Sequence, residues 1–138
     1  MVVMRTIGVA LVASWLWTGT AAAQGSGAAV PREKIEALEE VLAAPRKDSS
    51  AARQRLAVKR VIRDGEELLE AHPTAPNRFR ILGVLFKARK ELFGLDDSTR
   101  NREALLETCR ELAKAPDDYA EVRLDADLLL TQTEAARK

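Results

Sequence analysis

A chain of 138 residues with a formal net charge of +1 has room for one small domain, and its near balance of charge argues against a whole-domain polyanion binder. A single cysteine, Cys109, excludes an internal disulfide framework. Aromatic residues make up only 4% of the chain, so a core must come from Leu, Val, Ile and Ala, a composition that suits helices packing closely on helices.

Arg5 is the only charge before Arg32. An apolar run, Ile7 to Trp17, follows it, then small residues from Thr18 to Ala23 and a polar Gln24. A positive start, a short apolar core and an A-x-A site at Ala21 and Ala23 read as a secretory signal peptide over residues 1–23. The expected mature protein is exported, to the periplasm or beyond. The apolar core is shorter than the ~20 residues of a spanning helix, so cleavage is expected rather than retention as an anchor. Removing the leader takes Arg5, Trp15 and Trp17, which balances the remaining charge. No later segment is apolar enough to span a bilayer. Residues 24–30 read as a flexible lead-in with nothing to bury.

From residue 31 to 138 the periodicity predicts about five helices joined by short loops, an all-α fold of antiparallel helical hairpins. Pro31 suits the first turn of a helix, with Ile35, Leu38, Val41 and Leu42 on its apolar stripe and Ala44-Pro45 as its stop. Asp48, Ser49 and Ser50 offer caps for a second helix, whose stripe is Val58, Val61, Ile62, Gly65, Leu68 and Leu69. His72-Pro73 closes it, and Thr74 with Pro76 opens a third. The third helix is apolar on two adjoining faces: Phe79, Leu82, Phe86 and Phe93 on one, Ile81, Leu85, Ala88 and Leu92 on the other. A stripe that wide predicts neighbours on both sides. Gly94 stands where a left-handed helix stop is expected. Asp96-Asp97-Ser98 caps a fourth helix that turns Leu105, Leu106, Cys109, Leu112 and Ala113 inward. After Pro116, Asp118 with Glu121 resembles a capping box for a fifth helix, on which Tyr119, Val122, Ala126 and Leu129 are expected to face inward.

Residues 73–86 are echoed by residues 116–129: Pro73 by Pro116, Arg80 by Arg123, Leu85 by Leu128, Phe79 by Val122, Ile81 by Leu124, Phe86 by Leu129 and Gly83 by Ala126. Self-similarity of this kind marks stacked helical hairpins. Within it, Phe79-x2-Leu82-Gly83-x2-Phe86 resembles the first helix of a tetratricopeptide repeat, W-x2-L-G-x2-Y. Ala104 and Pro116 match the second-helix alanine and the closing proline. The resemblance implies a short solenoid in which a small residue, Gly83, lets a partner helix approach while the aromatics fill the gaps around it. The period is longer than the family's ~34 residues, and Asp125 stands where the second copy needs Leu. Leu124, Leu128 and Leu130 of the last helix are expected to face no partner within the chain, so the domain either continues beyond Lys138 or pairs with another protein. The arrangement also resembles the helical regions that precede a thioredoxin-like domain in some exported bacterial proteins.

No residue set carries a catalytic, cofactor or metal reading. Cys109 sits mid-stripe between Leu105, Leu106, Leu112 and Ala113 and has no resolving cysteine, which predicts a buried small hydrophobe. His72, the only histidine, stands at a helix end without a nucleophile or further ligands beside it. The segment from Arg46 to Arg63 carries Arg46, Lys47, Arg53, Arg55, Lys59, Arg60 and Arg63 against Asp48 alone. Arg55, Lys59 and Arg63 share a helical stripe there, a candidate surface for an anionic or acidic partner. No aromatics interleave for base stacking, so nucleic acid is not the expected partner. Asp117, Glu121 and Asp125, with Asp118 beside them, form a stripe of opposite sign on the last helix. The expected function is therefore an exported, non-catalytic scaffold or protein-interaction module. The alternatives are an accessory region of a larger exported thioredoxin-like protein and an anionic-surface binder acting through residues 46–63.

Overall fold

The computed structural model describes residues 27–137. The signal-peptide reading, with its cleavage residues Ala21 and Ala23, falls outside them. Among the described residues the chain is all-helical: α1 (Arg32–Ala43), α2 (Ala51–Ala71), α3 (Arg78–Leu95), α4 (Thr99–Leu112) and α5 (Ala120–Ala135), with a single 3-10 turn (Asp117–Tyr119) ahead of α5. No helix among them is long and apolar enough to cross a membrane.

Helix starts follow local chemistry in two of the five cases. Ser50 caps α2 by accepting from the Arg53 N–H, and Ser98 caps α4 by accepting from the Asn101 N–H. Pro31 stands one residue before α1, as its N-cap. The capping box expected at Asp118 and Glu121 does not form: Asp118 lies within the 3-10 turn, and α5 starts without a side-chain cap. Gly94 is not a left-handed stop either. It has no positive φ and lies inside α3, which ends at Leu95 with Asp96 in extended geometry.

The start of α3 has a different logic. Asn77 precedes it but gives it no cap, because its side chain is committed elsewhere. Asn77 Oδ1 accepts from the Val30 N–H at 3.0 Å, and Asn77 Nδ2 donates to the Val30 carbonyl at 2.9 Å. Val30 is 2% exposed and packs with Ile35, Ala75 and Ile81. The lead-in expected to bury nothing is thus docked at its end. An amide with both hydrogen-bonding groups matched to one backbone residue holds that segment as a strand partner would.

Consecutive helices pack on one another, and α1 also reaches α3. Two apolar clusters result, with α3 in both. One gathers Ile35 and Leu38 of α1, Val58 and Val61 of α2, and Ile81, Val84, Ala88 and Leu92 of α3. The other gathers Leu82, Leu85 and Phe86 of α3 with Leu105, Cys109 and Leu112 of α4 and Ala126 of α5. Ile62 and Leu69 of α2 touch both clusters, so the core is continuous. The two apolar faces read from the α3 sequence map onto these clusters with one exchange, Leu85, which joins the second.

Polar links tie the helices across this core. Arg80 of α3 grips Glu39 of α1 with two parallel hydrogen bonds, Nε to Oε1 at 3.0 Å and Nη2 to Oε2 at 2.7 Å. Arg89 of α3 bridges Glu66 of α2 and Thr108 of α4, and Thr108, 1% exposed, also donates to the Ala104 carbonyl at 3.0 Å.

Candidate functional site

The sequence singled out four residues for repeat packing. Leu82 and Phe86 are buried in the second cluster, and Phe79 packs against it with its ring centroid 5.9 Å from that of Tyr119. Gly83 is half-buried and faces α5, where a β-carbon would meet Val122 Cγ2 at an ordinary 3.7 Å. It is therefore not the point of closest helix approach. That point is Gly65 of α2, where a β-carbon would lie 2.8 Å from Leu85 Cδ2. Gly65 belonged to the predicted α2 stripe, but its spacing alone did not separate it from Gly83.

The echo between residues 73–86 and 116–129 carries over to packing on one face only: Phe79 and Phe86, like their counterparts Val122 and Leu129, lie on the second cluster. Ile81 and Leu85 are 0% and 1% exposed, whereas their counterparts Leu124 and Leu128 are 69% and 56% exposed. On α5 the inward residues are Val122, Ala126, Leu129 and Leu130, all gathered on the second cluster. Leu130, expected to face nothing, is thus packed; Leu124 and Leu128 are open, as the sequence reading had it. Acids surround them: Asp118, Glu121, Asp125 and Asp127 are exposed and form no ion pair among the described residues. Asp117 is held by Arg123 at 3.0 Å.

The basic segment divides into a structural part and a surface part. Arg46, with a side chain 13% exposed, pairs with Glu91 of α3 and donates to the carbonyls of Val41 and Leu42. It closes the C-terminal end of α1, where carbonyls lack helical partners. The stripe Arg55, Lys59 and Arg63 is not one open face, because Arg55 is half-buried and Arg63 pairs with Asp64 at 2.8 Å and Glu67 at 3.9 Å. The open face of α2 is instead centred on Leu56, 71% exposed, with Arg53, Lys59, Arg60 and Arg63 around it and Ala57. Arg53, Lys59 and Arg60 form no ion pair among the described residues.

A polar cleft of about 390 Å³ opens between α2, α3 and α4, lined by Lys59, Glu66, Arg89 and Asn101 among others. Its charged centre, Arg89, is already taken by Glu66 and Thr108. Cys109 is fully buried, and burial pushes its thiol up to about 11, away from reactivity. His72 ends α2, donating its backbone N–H to the Leu68 carbonyl at 3.0 Å and accepting from the Ala75 N–H at 3.2 Å. Its place is that of a helix stop. No protein-family model, curated protein or solved structure matches the chain.

Proposed function

We propose that this chain is an exported, non-catalytic helical scaffold that engages a protein partner through an outer helical face. The observation that carries the reading is the pair Leu124 and Leu128, open to solvent on α5 with acids on either side. Two large apolar side chains one helical turn apart, rimmed by charge, have the anatomy of a protein-docking ridge. Export rests on the leader of residues 1–23.

The order of contacts between helices supports reading them as tetratricopeptide-like stacked hairpins, which suits a scaffold. Contacts with α3 step upward together along α1 and the connection that leaves it, from Glu39–Arg80 to Arg46–Glu91. They step in opposite directions on α3 and α4, from Arg78–Glu111 to Arg89–Thr108. A parallel α1 and α3 with an antiparallel α3 and α4 fits the pattern of stacked hairpins. In a strict repeat, Leu124 and Leu128 would take the places of Ile81 and Leu85 against the preceding helices. On α5 the other face is turned inward, and this pair is left for a partner.

The test is a photo-crosslinking residue placed at Leu124 or Leu128 in the cells that make the protein, with Lys47 as the control position. Discrete adducts from 124 and 128, and none from 47, are expected. Equal or absent adducts at all three positions would overturn the docking reading. Export is tested by the N-terminal sequence of the protein recovered outside the cytoplasm, expected to begin at Gln24. An intact leader on cytoplasmic protein would overturn it.

A further inference from the structure

The two open faces of this molecule are complementary to each other. On α2, Leu56 stands 71% exposed inside a ring of Arg53, Lys59, Arg60 and Arg63. On α5, Leu124 and Leu128 stand exposed among Asp118, Glu121, Asp125 and Asp127. We propose that the α2 face of one copy receives the α5 face of a second copy of this chain, so that copies add head to tail. The proposal rests on the reading of α5 as a protein-docking face and names its partner.

Three features point to this occupant. First, the charges match in sign, and they are free: Arg53, Lys59 and Arg60 on one side, and Glu121, Asp125 and Asp127 on the other, lack ion pairs among the described residues. Opposed potentials steer encounter, and like faces repel, so α2 on α2 and α5 on α5 are disfavoured. Second, the ridges share a pitch. Arg53, Leu56, Arg60 and Arg63 recur at spacings of three and four, as do Glu121, Leu124 and Leu128, so the side chains of one helix surface fit between those of the other. Third, the faces are independent. From α2 the chain packs in turn through α3 and α4 to α5, so a copy using one face still offers the other. An interface between two different patches of the same chain is heterologous, and without closure it builds rows rather than dimers.

The apolar contact is small, essentially Leu56 against Leu124 and Leu128. The interface belongs with weak contacts below ~1,200 Å², where association is micromolar or weaker and salt-sensitive.

Sedimentation of the full chain tests the proposal at low and at high salt, with protein from ~10 µM to ~1 mM, the range in which weak interfaces associate. Average mass is expected to rise with concentration at low salt and to fall back toward the monomer at high salt. Two charge-reversal variants, Arg53→Glu/Arg60→Glu and Glu121→Lys/Asp125→Lys, should each stay monomeric, because each leaves the altered face with equal positive and negative charge and so removes its attraction for the opposite face. Mixed in equal amounts they should associate again, which neither a folding defect nor stickiness of the leader would produce. A wild-type chain monomeric throughout, or variants that self-associate like wild type, would overturn the proposal. So would wild-type protein that stays monomeric yet binds phosphatidylglycerol vesicles through Arg53 and Arg60; the basic face would then belong to an anionic lipid surface. If the chain is monomeric while position 124 still crosslinks to another protein, self-pairing fails and the docking reading stands. If both experiments are blank, both fail.

Discussion

Gly65 of α2 faces Leu85 of α3 so closely that a β-carbon at residue 65 would lie 2.8 Å from Leu85 Cδ2 and 3.3 Å from its Cγ, with Leu38 of α1 next at 3.8 Å. One missing side chain in α2 therefore admits residues from both neighbouring helices. Leu85 is 1% exposed and has little room to retreat.

Three glycines inside helices should consequently respond differently to alanine. Gly65→Ala gains about 1 kcal/mol of helix propensity but overpacks a full core at a cost of about 1–3 kcal/mol, for a net loss near 1 kcal/mol. Gly94 has nothing within 4 Å of its β-position, and Gly83 has Val122 Cγ2 at 3.7 Å. Both Gly94→Ala and Gly83→Ala should stabilise by about 0.5–1 kcal/mol. Urea unfolding of the three variants checks the order. A Gly65→Ala variant as stable as Gly94→Ala would show that α2 and α3 do not meet there. Pairing Gly65→Ala with Leu85→Val should cost less than the two changes summed, since the second relieves the first.

The Glu39–Arg80 pair gives stability a pH dependence on the acid side. The hydrogen bonds from Arg80 hold the Glu39 carboxyl below its ordinary range, against an opposing push from burial. A carboxylate with a depressed folded pKa contributes stability above its unfolded pKa of about 4.3, and loses it as pH falls through the folded value. The Glu39 side chain is 39% exposed, which limits the contribution to about 0.5–1 kcal/mol. Glu39→Gln should show that deficit at pH 7 and converge on wild type as the pH falls below 4. A deficit constant with pH would mean that packing, not charge, holds α1 to α3 at this point.

Cys109 acts at the other end of the pH scale. Its thiol is pushed up to about 11 chiefly by burial, while Arg110 acts in the opposite direction. The folded state therefore keeps a proton that the unfolded chain releases near pH 8.5. Stability is fully present below that pH and declines as pH rises toward 11, by up to about 3 kcal/mol. Cys109→Ala should cost about 1 kcal/mol at neutral pH through the lost sulfur and flatten the alkaline slope. The native thiol should react with thiol reagents only as fast as the chain opens. Stoichiometric labelling within seconds under native conditions would contradict its burial.

How far the fold was legible depends on how local its determinants are. Phe79, Leu82, Phe86 and Phe93 join one cluster and Ile81, Ala88 and Leu92 the other, because a helix with two apolar faces has only one way to bury both. Ser50 and Ser98 cap as read, since a cap involves residues three apart. The role of Asn77 was not legible, because its partner Val30 is remote in sequence and no local pattern announces it. Arg46 looked like surface charge but reaches the α1 carbonyls and Glu91, which only the folded chain brings within its length. The inward face of α5, Val122, Ala126 and Leu129, was legible from its spacing after the Pro116 break, although the echo of α3 pointed to the other face. Leu124 and Leu128 have the same periodicity as Ile81 and Leu85, and the choice fell to Ala126, 0% exposed, whose small side chain lets α5 settle against the cluster containing Cys109 and Leu112.

That rotation of α5 yields the sharpest test of the packing. Ile81→Ala and Leu85→Ala remove fully buried side chains and should each cost about 2–5 kcal/mol. Leu124→Gln and Leu128→Gln alter their sequence counterparts at open positions, and each should change stability by no more than about 0.5 kcal/mol. A true packing repeat would make the two pairs equivalent. Losses above about 2 kcal/mol from Leu124→Gln and Leu128→Gln would mean that α5 presents this pair to the preceding helices, as α3 does, leaving Val122 and Leu129 outside. Unfolding midpoints of the four variants, measured at low protein concentration to avoid association, decide between the two registers.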